Sequence, residues 1–272
     1  MTRAGPAWTA TLVVVSLPLL AGVLWLALSS VFREVHGLWP VGGWQPENWR
    51  FLRETIGSRP SIWLVLLNTL VFAGGVAALQ VLVSAMAAYA ISRLKFAGRG
   101  LYLGLVLVLH AFPAVSLFIA IFYVLRVLGL FDTLLGVVLV KVALDLPLGV
   151  WLLKGFFDDL PEELEDAALV DGARRETIFW RIALPLVKPG LLALGTLMLL
   201  SAWGEFILPF TLIVSGESWT LSLYLQSLIA DFRFTDFGLL AAVGLFYMAP
   251  VVVVFLAGQR FLLNVYGGGT KG

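Results

Sequence analysis

The sequence predicts an all-α polytopic membrane protein with six transmembrane helices and a cytoplasmic helix-turn-helix loop. Three observations carry that prediction. Apolar residues make up 60% of the 272 and charged residues only 13%, whereas a soluble domain carries about a quarter. The mean hydropathy is +0.97. The apolar residues also fall in runs long enough to cross a bilayer, which takes about 20 residues as helix. A lipid-exposed backbone must satisfy its own hydrogen bonds, so each run is read as a helix.

The six runs are Ala7–Phe32, Ile62–Leu94, Leu101–Leu128, Thr133–Phe157, Gly190–Val214 and Phe237–Leu263. The first follows Arg3 but is too long for a signal-peptide core and lacks a small-residue cleavage pattern, so it reads as an uncleaved anchor. With no repeat, Gly/Ser linker or low-complexity tract, the chain reads as one transmembrane domain, 1–272, with a cytoplasmic loop at 158–189 between spans four and five. An even number of spans puts both termini on one side. If that side is cytoplasmic, it holds eleven Lys and Arg against six in the outer loops, with Lys141 inside a span. The positive-inside rule then places both termini inside.

Span two carries Gly74, Gly75, Ala77, Ala78, Ser84, Ala85, Ala87 and Ala88, small residues that let helices approach closely. Trp8, Trp63 and Trp151 lie near span ends, where indoles prefer the interface. Gln80 and Asn68 are expected to hydrogen-bond between helices.

Composition also excludes functions. A net charge of +1 gives no sign of a nucleic-acid partner. There are no cysteines and only two histidines, His36 and His110, which removes thiolate and imidazole-built metal sites. No nucleophile–base pair stands out, so the chain is not expected to be an enzyme. The tail Gly267–Gly272 lacks the G-x-x-x-x-G-K-[ST] order of a phosphate loop, so no ATPase is expected in this chain.

The segment between spans four and five is polar. Pro161 followed by Glu162 and Glu163 marks a helix start, because proline suits the first turn and carboxylates suit the dipole. Leu164, Ala167 and Ala168 recur at i, i+3 and i+4 as a narrow stripe of mostly small residues. Gly172 supplies a left-handed stop. A second helical stretch begins near Arg174 and ends at Pro185. Such an element calls for a groove in a partner protein. A helix lying on the lipid surface would instead carry a basic face and bulky apolar residues.

At these residues the sequence resembles the permease subunits of bacterial ABC importers. Their hallmark is E-A-A, three residues, G, nine residues, I, one residue, L-P. Here Asp166-Ala167-Ala168 is followed at that spacing by Gly172, Ile182 and Leu184-Pro185, with Asp171-Gly172-Ala173 at the core. Ala87-Ala88-Tyr89-Ala90 with Arg93, Gly129-Leu130 with Asp132-Thr133, Ala202-Trp203 with Glu205-Phe206, and Lys271-Gly272 resemble the carbohydrate, maltose-type branch. Asp166 stands where that family has glutamate, and Gly204 where an asparagine commonly follows the tryptophan.

The resemblance implies a type I ABC importer permease fold in a bacterial or archaeal cytoplasmic (inner) membrane. It implies a sugar importer in which this chain forms half of the pore. The partners implied are a second, different permease, two copies of an ATPase subunit that bind ATP and Mg, and an extracytoplasmic solute-binding protein. Asp166, Ala167, Ala168, Asp171 and Gly172 are the coupling residues it implies, with the tail from Asn264 as a further ATPase contact. The outer loop Gly216, Glu217, Ser218 and Trp219 would reach the solute-binding protein, or is an ordinary surface loop. The outer loop from Arg33 to Ser61 offers Trp39, Trp44 and Trp49 for docking or for packing on the partner permease.

Ionisable groups inside spans are costly and mark pathways or pairs. Lys141 and Asp145, at i and i+4, share a helix face and are either a structural pair or pore lining. His110 precedes Pro113, where a kink frees carbonyls it can satisfy, or it lines the path. Glu205 beside Trp203 suits a polyhydroxylated solute. Two other readings remain at this point, an ATP-driven importer of a non-sugar solute and an ion-gradient secondary transporter.

Overall fold

A computed structural model of the chain describes residues 6–36, 38–94, 96–110, 113–229 and 236–267. The first apolar run forms α1 (Pro6–Val31). An antiparallel hairpin follows, β1 (Phe32–His36) and β2 (Trp39–Trp44), pairing Glu34 with Val41 and His36 with Trp39. This hairpin departs from the all-α expectation. Its cross-strand pair Phe32 and Trp44 packs edge to face at 6.0 Å, the kind of aromatic contact that stabilises a strand pair. A 3₁₀ turn, Pro46–Leu52, leads to α2 (Ile62–Arg93).

The run expected as one span over Leu101–Leu128 is instead two helices, α3 (Arg99–His110) and α4 (Phe118–Val127), with a 3₁₀ turn at Ala114–Leu117. Pro113 is extended, with φ −60° and ψ 120°, and has no N–H to continue the ladder. Helix α5 (Leu134–Asp158) is capped by Thr133, whose Oγ1 accepts from the Gly136 N–H at 3.1 Å. Next come α6 (Glu162–Val170) and α7 (Arg175–Ile178), then a π-turn at Phe179–Ala183 and α8 (Leu184–Leu186). The π-turn ends two residues before Pro185, which cannot donate to the ladder.

Helix α9 (Lys188–Trp203) leaves that segment at a bend of 75°. The fifth span, expected to be continuous over Gly190–Val214, breaks at Gly204–Phe206 before α10 (Ile207–Leu212). Helices α11 (Leu221–Leu228) and α12 (Phe237–Gly267) complete the chain.

Among the described residues, four helices are long and apolar enough to cross a membrane: Val13–Val31, Ile62–Arg93, Leu134–Asp158 and Phe237–Gln259. A fifth crossing is present if the bent pair Arg175–Leu186 and Lys188–Trp203 is one span. Hydropathy registers the two remaining runs as continuous because it does not see backbone breaks.

Contacts group the chain into two compact units. One takes in the described residues of Met1–Val65 and Leu221–Pro250. Here buried Phe51 stacks on Trp49 and meets Phe246 edge-on. Trp63 donates its Nε1–H to the Leu52 carbonyl at 3.0 Å, and Arg59 donates to the Ser227 hydroxyl and carbonyl at 2.8 and 2.7 Å.

The other unit comprises Leu66–Thr220 and the described residues of Val251–Gly272. Its core joins α2, α5 and α9 through Ala85, Ala88, Val150, Leu153, Leu194 and Met198, with Phe179 and Ala183 beside them. The small residues of α2 permit this. A side chain at Gly149 of α5 would collide with Ser84 and Gln80 of α2, and one at Gly190 would meet the Phe156 ring.

Candidate functional site

Three polar sites stand out in the unit Leu66–Thr220. The first is α6. Pro161 precedes it with φ −57° and ψ 127°, and Glu162, Glu163 and Glu165 lie in its first turn, beside the unpaired N–H groups of the helix start. The end is closed by Gly172 at φ +81°. The N–H groups of Gly172 and Ala173 reach the carbonyls of Leu169 and Ala168 at 3.0 and 2.9 Å. A left-handed residue there turns the chain sharply enough to satisfy the last carbonyls.

The burial of α6 is the reverse of an ordinary surface helix. Leu164 and Val170 are 47% and 88% exposed, and Asp166, Ala167, Asp171 and Gly172 are exposed with them, while Ala168 is half-buried. The buried residue of this helix is Glu165. Its Oε1 accepts from Arg93 Nε at 2.7 Å and its Oε2 from the Tyr89 hydroxyl at 2.9 Å. The side chains of Arg93 and Glu165 are each 6% exposed. Arg93 also donates to the Leu160 carbonyl at 2.7 Å, which holds the chain entering α6. Nearby, Ser92 donates to Asp158 at 2.6 Å and Lys154 pairs with the same carboxylate. A polar cavity of about 390 Å³ opens among Arg93, Arg99, Asp158, Asp166 and Arg175.

Sequence reasoning missed Glu165. The available signal was that Tyr89 and Arg93, at i and i+4, share a face of the last turns of α2.

The second site brings three predicted residues together. Lys141 Nζ lies 3.2 Å from Asp145 Oδ2 and 3.0 Å from Glu205 Oε2. The three side chains are 11%, 16% and 16% exposed. Glu205 also caps α10, its Oε1 accepting from the N–H groups of Ile207 and Leu208 at 3.0 and 3.3 Å. The cluster therefore ties α5 to the break in the fifth apolar run. Trp203, expected beside Glu205, is only 3% exposed and lies within the fold. His110 ends α3; its side chain lies outside the described residues.

The third site is the loop after α10. Gly216–Ser218 form a 3₁₀ turn. Asn68 donates to the carbonyls of Glu217 and Trp219 at 2.7 and 3.0 Å. Asp132 Oδ1 accepts from the N–H groups of Val214 and Ser215 at 2.7 and 2.9 Å, and from the Ser215 hydroxyl at 3.1 Å. Burial acts to raise the Asp132 pKa, but these donors outweigh it and hold the carboxyl below the ordinary aspartate value. Glu217 is exposed, and Gly216, Ser218 and Trp219 are half-buried. Of the tail from Asn264 expected to contact an ATPase, residues 264–267 continue α12 and 268–272 lie outside the described residues.

Residues 80–263 match the family model for the binding-protein-dependent transport system inner membrane component. The trehalose transport system permease protein SugB of Mycobacterium tuberculosis is 33% identical over 196 residues, covering 71% of this chain and 72% of its own length. The maltodextrin permease protein MdxG of Bacillus subtilis is 34% identical, covering 75% and 74%. The diacetylchitobiose uptake permease protein NgcG of Streptomyces coelicolor is 30% identical, covering 96% and 87%. A solved bacterial ABC transporter that imports alginate is similar in fold, with a TM-score of 0.80 at 21% identity over 94% of this chain and 95% of its own. The inward-facing methionine transporter MetNI has a TM-score of 0.57 at 18% identity, covering 77% and 99%.

Proposed function

The chain belongs to the binding-protein-dependent transport system inner membrane component family, and on that premise we propose that it is a permease subunit of an ATP-driven sugar importer. It forms half of the translocation pore beside a second permease. Two copies of a separate ATPase subunit bind ATP and Mg, and an extracytoplasmic solute-binding protein delivers the sugar. The trehalose, maltodextrin and diacetylchitobiose permeases among the relatives support a sugar cargo. Family membership favours this reading over an ion-gradient carrier.

The observation that carries the coupling role is the inverted burial of α6. Leu164, Ala167 and Val170 face outward and Ala168 and Leu169 are half-buried, while its one buried side chain is an acid. An exposed stripe of small residues suits insertion into a cleft of the ATPase. Asp166, Asp171 and Gly172 edge that stripe, and Asp166 can pair with a basic residue at the cleft rim. Closure of the ATPase pair on ATP would draw α6 with it. The Glu165–Arg93 link passes that movement to α2, and the pore shifts between inward- and outward-facing arrangements, the alternating access of an importer.

In this reading the chain crosses the membrane six times with both termini cytoplasmic, α3 with α4 and α9 with α10 each serving as one broken crossing. Lys141, Asp145 and Glu205 border the path, with Trp203 behind them, and His110 is a further path candidate. The 216–219 loop meets the solute-binding protein.

Co-purification from native membranes in mild detergent tests the coupling role, with Gly172→Asp as control. An L side chain at φ +81° strains the turn that ends α6. The parent chain is expected to bring down an ATPase and a second permease, and the variant to lose the ATPase while remaining in the membrane. Retention of the ATPase by the variant, with normal uptake, would contradict it.

A further inference from the structure

The 214–219 loop is held from two directions within its unit, and neither anchor belongs to the loop. Asp132 is the stronger. A single carboxylate oxygen gathers three donors from Val214 and Ser215, and charged acceptors make the stronger hydrogen bonds. The backbone of Asp132 adds to this, its N–H donating to the Leu212 carbonyl at 3.1 Å. To place the carboxylate there, Asp132 adopts φ +62°, a left-handed conformation found at no other described non-glycine residue. Such a conformation costs about 1 kcal/mol or more and persists only where the surroundings enforce it. Asn68 holds the far side of the loop through two carbonyls. The backbone is thus fixed at both ends of the turn, while the side chain of Glu217 stays exposed.

We infer that Asp132 is a positioning residue for solute hand-over: its carboxylate presets the 214–219 loop in the conformation that engages the solute-binding protein. The inference rests on the importer reading for the hand-over and on geometry alone for the preset loop. A preset loop loses little conformational freedom on contact, which is where association otherwise loses affinity.

Two substitutions separate the side chain from the backbone. Asp132→Gly keeps the left-handed backbone and removes the acceptor. Asp132→Asn keeps both an amide oxygen and tolerance of that backbone. Asn68→Ala releases the other anchor without touching the α4–α5 turn, should the glycine variant not accumulate. This sequence contains no cysteine, so Glu217→Cys supplies a single labelling site in this chain for a nitroxide spin label, used with cysteine-free partner subunits.

With the complete transporter in proteoliposomes, Asp132→Gly and Asn68→Ala are expected to mobilise the label, and Asp132→Asn, which keeps a weaker, neutral acceptor, to mobilise it less than Asp132→Gly. In chains that keep Glu217, a purified binding protein titrated against ATPase activity should show a half-saturating concentration raised about tenfold in Asp132→Gly. The maximal rate and the rate without binding protein should be unchanged. An unchanged spectrum in both releasing variants would overturn the preset loop. A mobile label with unchanged half-saturation would overturn the hand-over role. If the parent itself shows no response to any binding protein, the importer reading fails, and the spectra still decide whether Asp132 sets the loop.

Discussion

Replacing Arg93 with alanine tests whether α6 is clamped to α2. In the parent, the Glu165 carboxylate is 6% exposed and is held by Arg93 Nε at 2.7 Å and the Tyr89 hydroxyl at 2.9 Å. Arg93→Ala leaves a buried carboxylate with a single neutral donor. Breaking a buried pair in this way costs about 3–5 kcal/mol. Glu165→Ala is expected to cost less, about 2–3 kcal/mol. Arg93 would keep the Leu160 carbonyl at 2.7 Å, and Glu162 stands 4.0 Å away. The double variant removes both charges, so its cost should fall short of the sum by at least about 1.5 kcal/mol, a coupling typical of side chains in one network. Thermal unfolding of the purified chain in detergent, followed by tryptophan fluorescence, measures the cycle. At about 2–4 °C per kcal/mol for a chain of this size, Arg93→Ala should lower the midpoint by roughly 10 °C. A cycle additive to within about 0.5 kcal/mol would refute the clamp.

Three further outcomes follow from the other contacts. Lys141→Met leaves Asp145 and Glu205 without their shared cation and should cost about 3–5 kcal/mol, read as a lowered unfolding midpoint; Glu205→Gln added to it should recover part of the loss. Gly149→Val drives a side chain into Ser84 and Gln80 and should cost about 1–3 kcal/mol, read as reduced membrane accumulation and a lower midpoint. Because the Asp132 pKa is lowered on folding, its contribution is complete above the ordinary aspartate value of about 3.9 and is lost as pH falls through the depressed folded value. Hydrogen exchange at the Val214 and Ser215 amides should show protection constant near neutrality and lost only in that acid range; loss of protection near pH 6 would contradict the assignment.

Helix α6 was legible because its signals are local. Pro161, the acids after it and Gly172 fix the ends of α6 over a few residues, and the stripe Leu164–Ala167–Ala168 follows from helical spacing. The Lys141–Asp145 pair was legible for the same reason, at i and i+4. Glu165 was not, because four acids lie in this short helix, and which of them turns inward depends on Arg93, 72 positions away in sequence. The Lys141–Glu205 contact was hidden likewise, since it exists only once the fifth apolar run breaks at Gly204–Phe206. Hydropathy reads that run, and the one interrupted at Pro113, as continuous. The hairpin Phe32–Trp44 was missed because its two strands are short and its aromatic pairing depends on register rather than on composition.

The most direct test of the central claim is uptake by proteoliposomes holding this chain, its co-purifying permease and its ATPase, assayed with the cognate binding protein and labelled di- and oligosaccharides. The account predicts accumulation of at least one sugar that requires both internal ATP and external binding protein and is abolished by Gly172→Asp. Sugar uptake driven by an ion gradient without ATP, or ATP-driven uptake confined to a non-sugar solute, would contradict it.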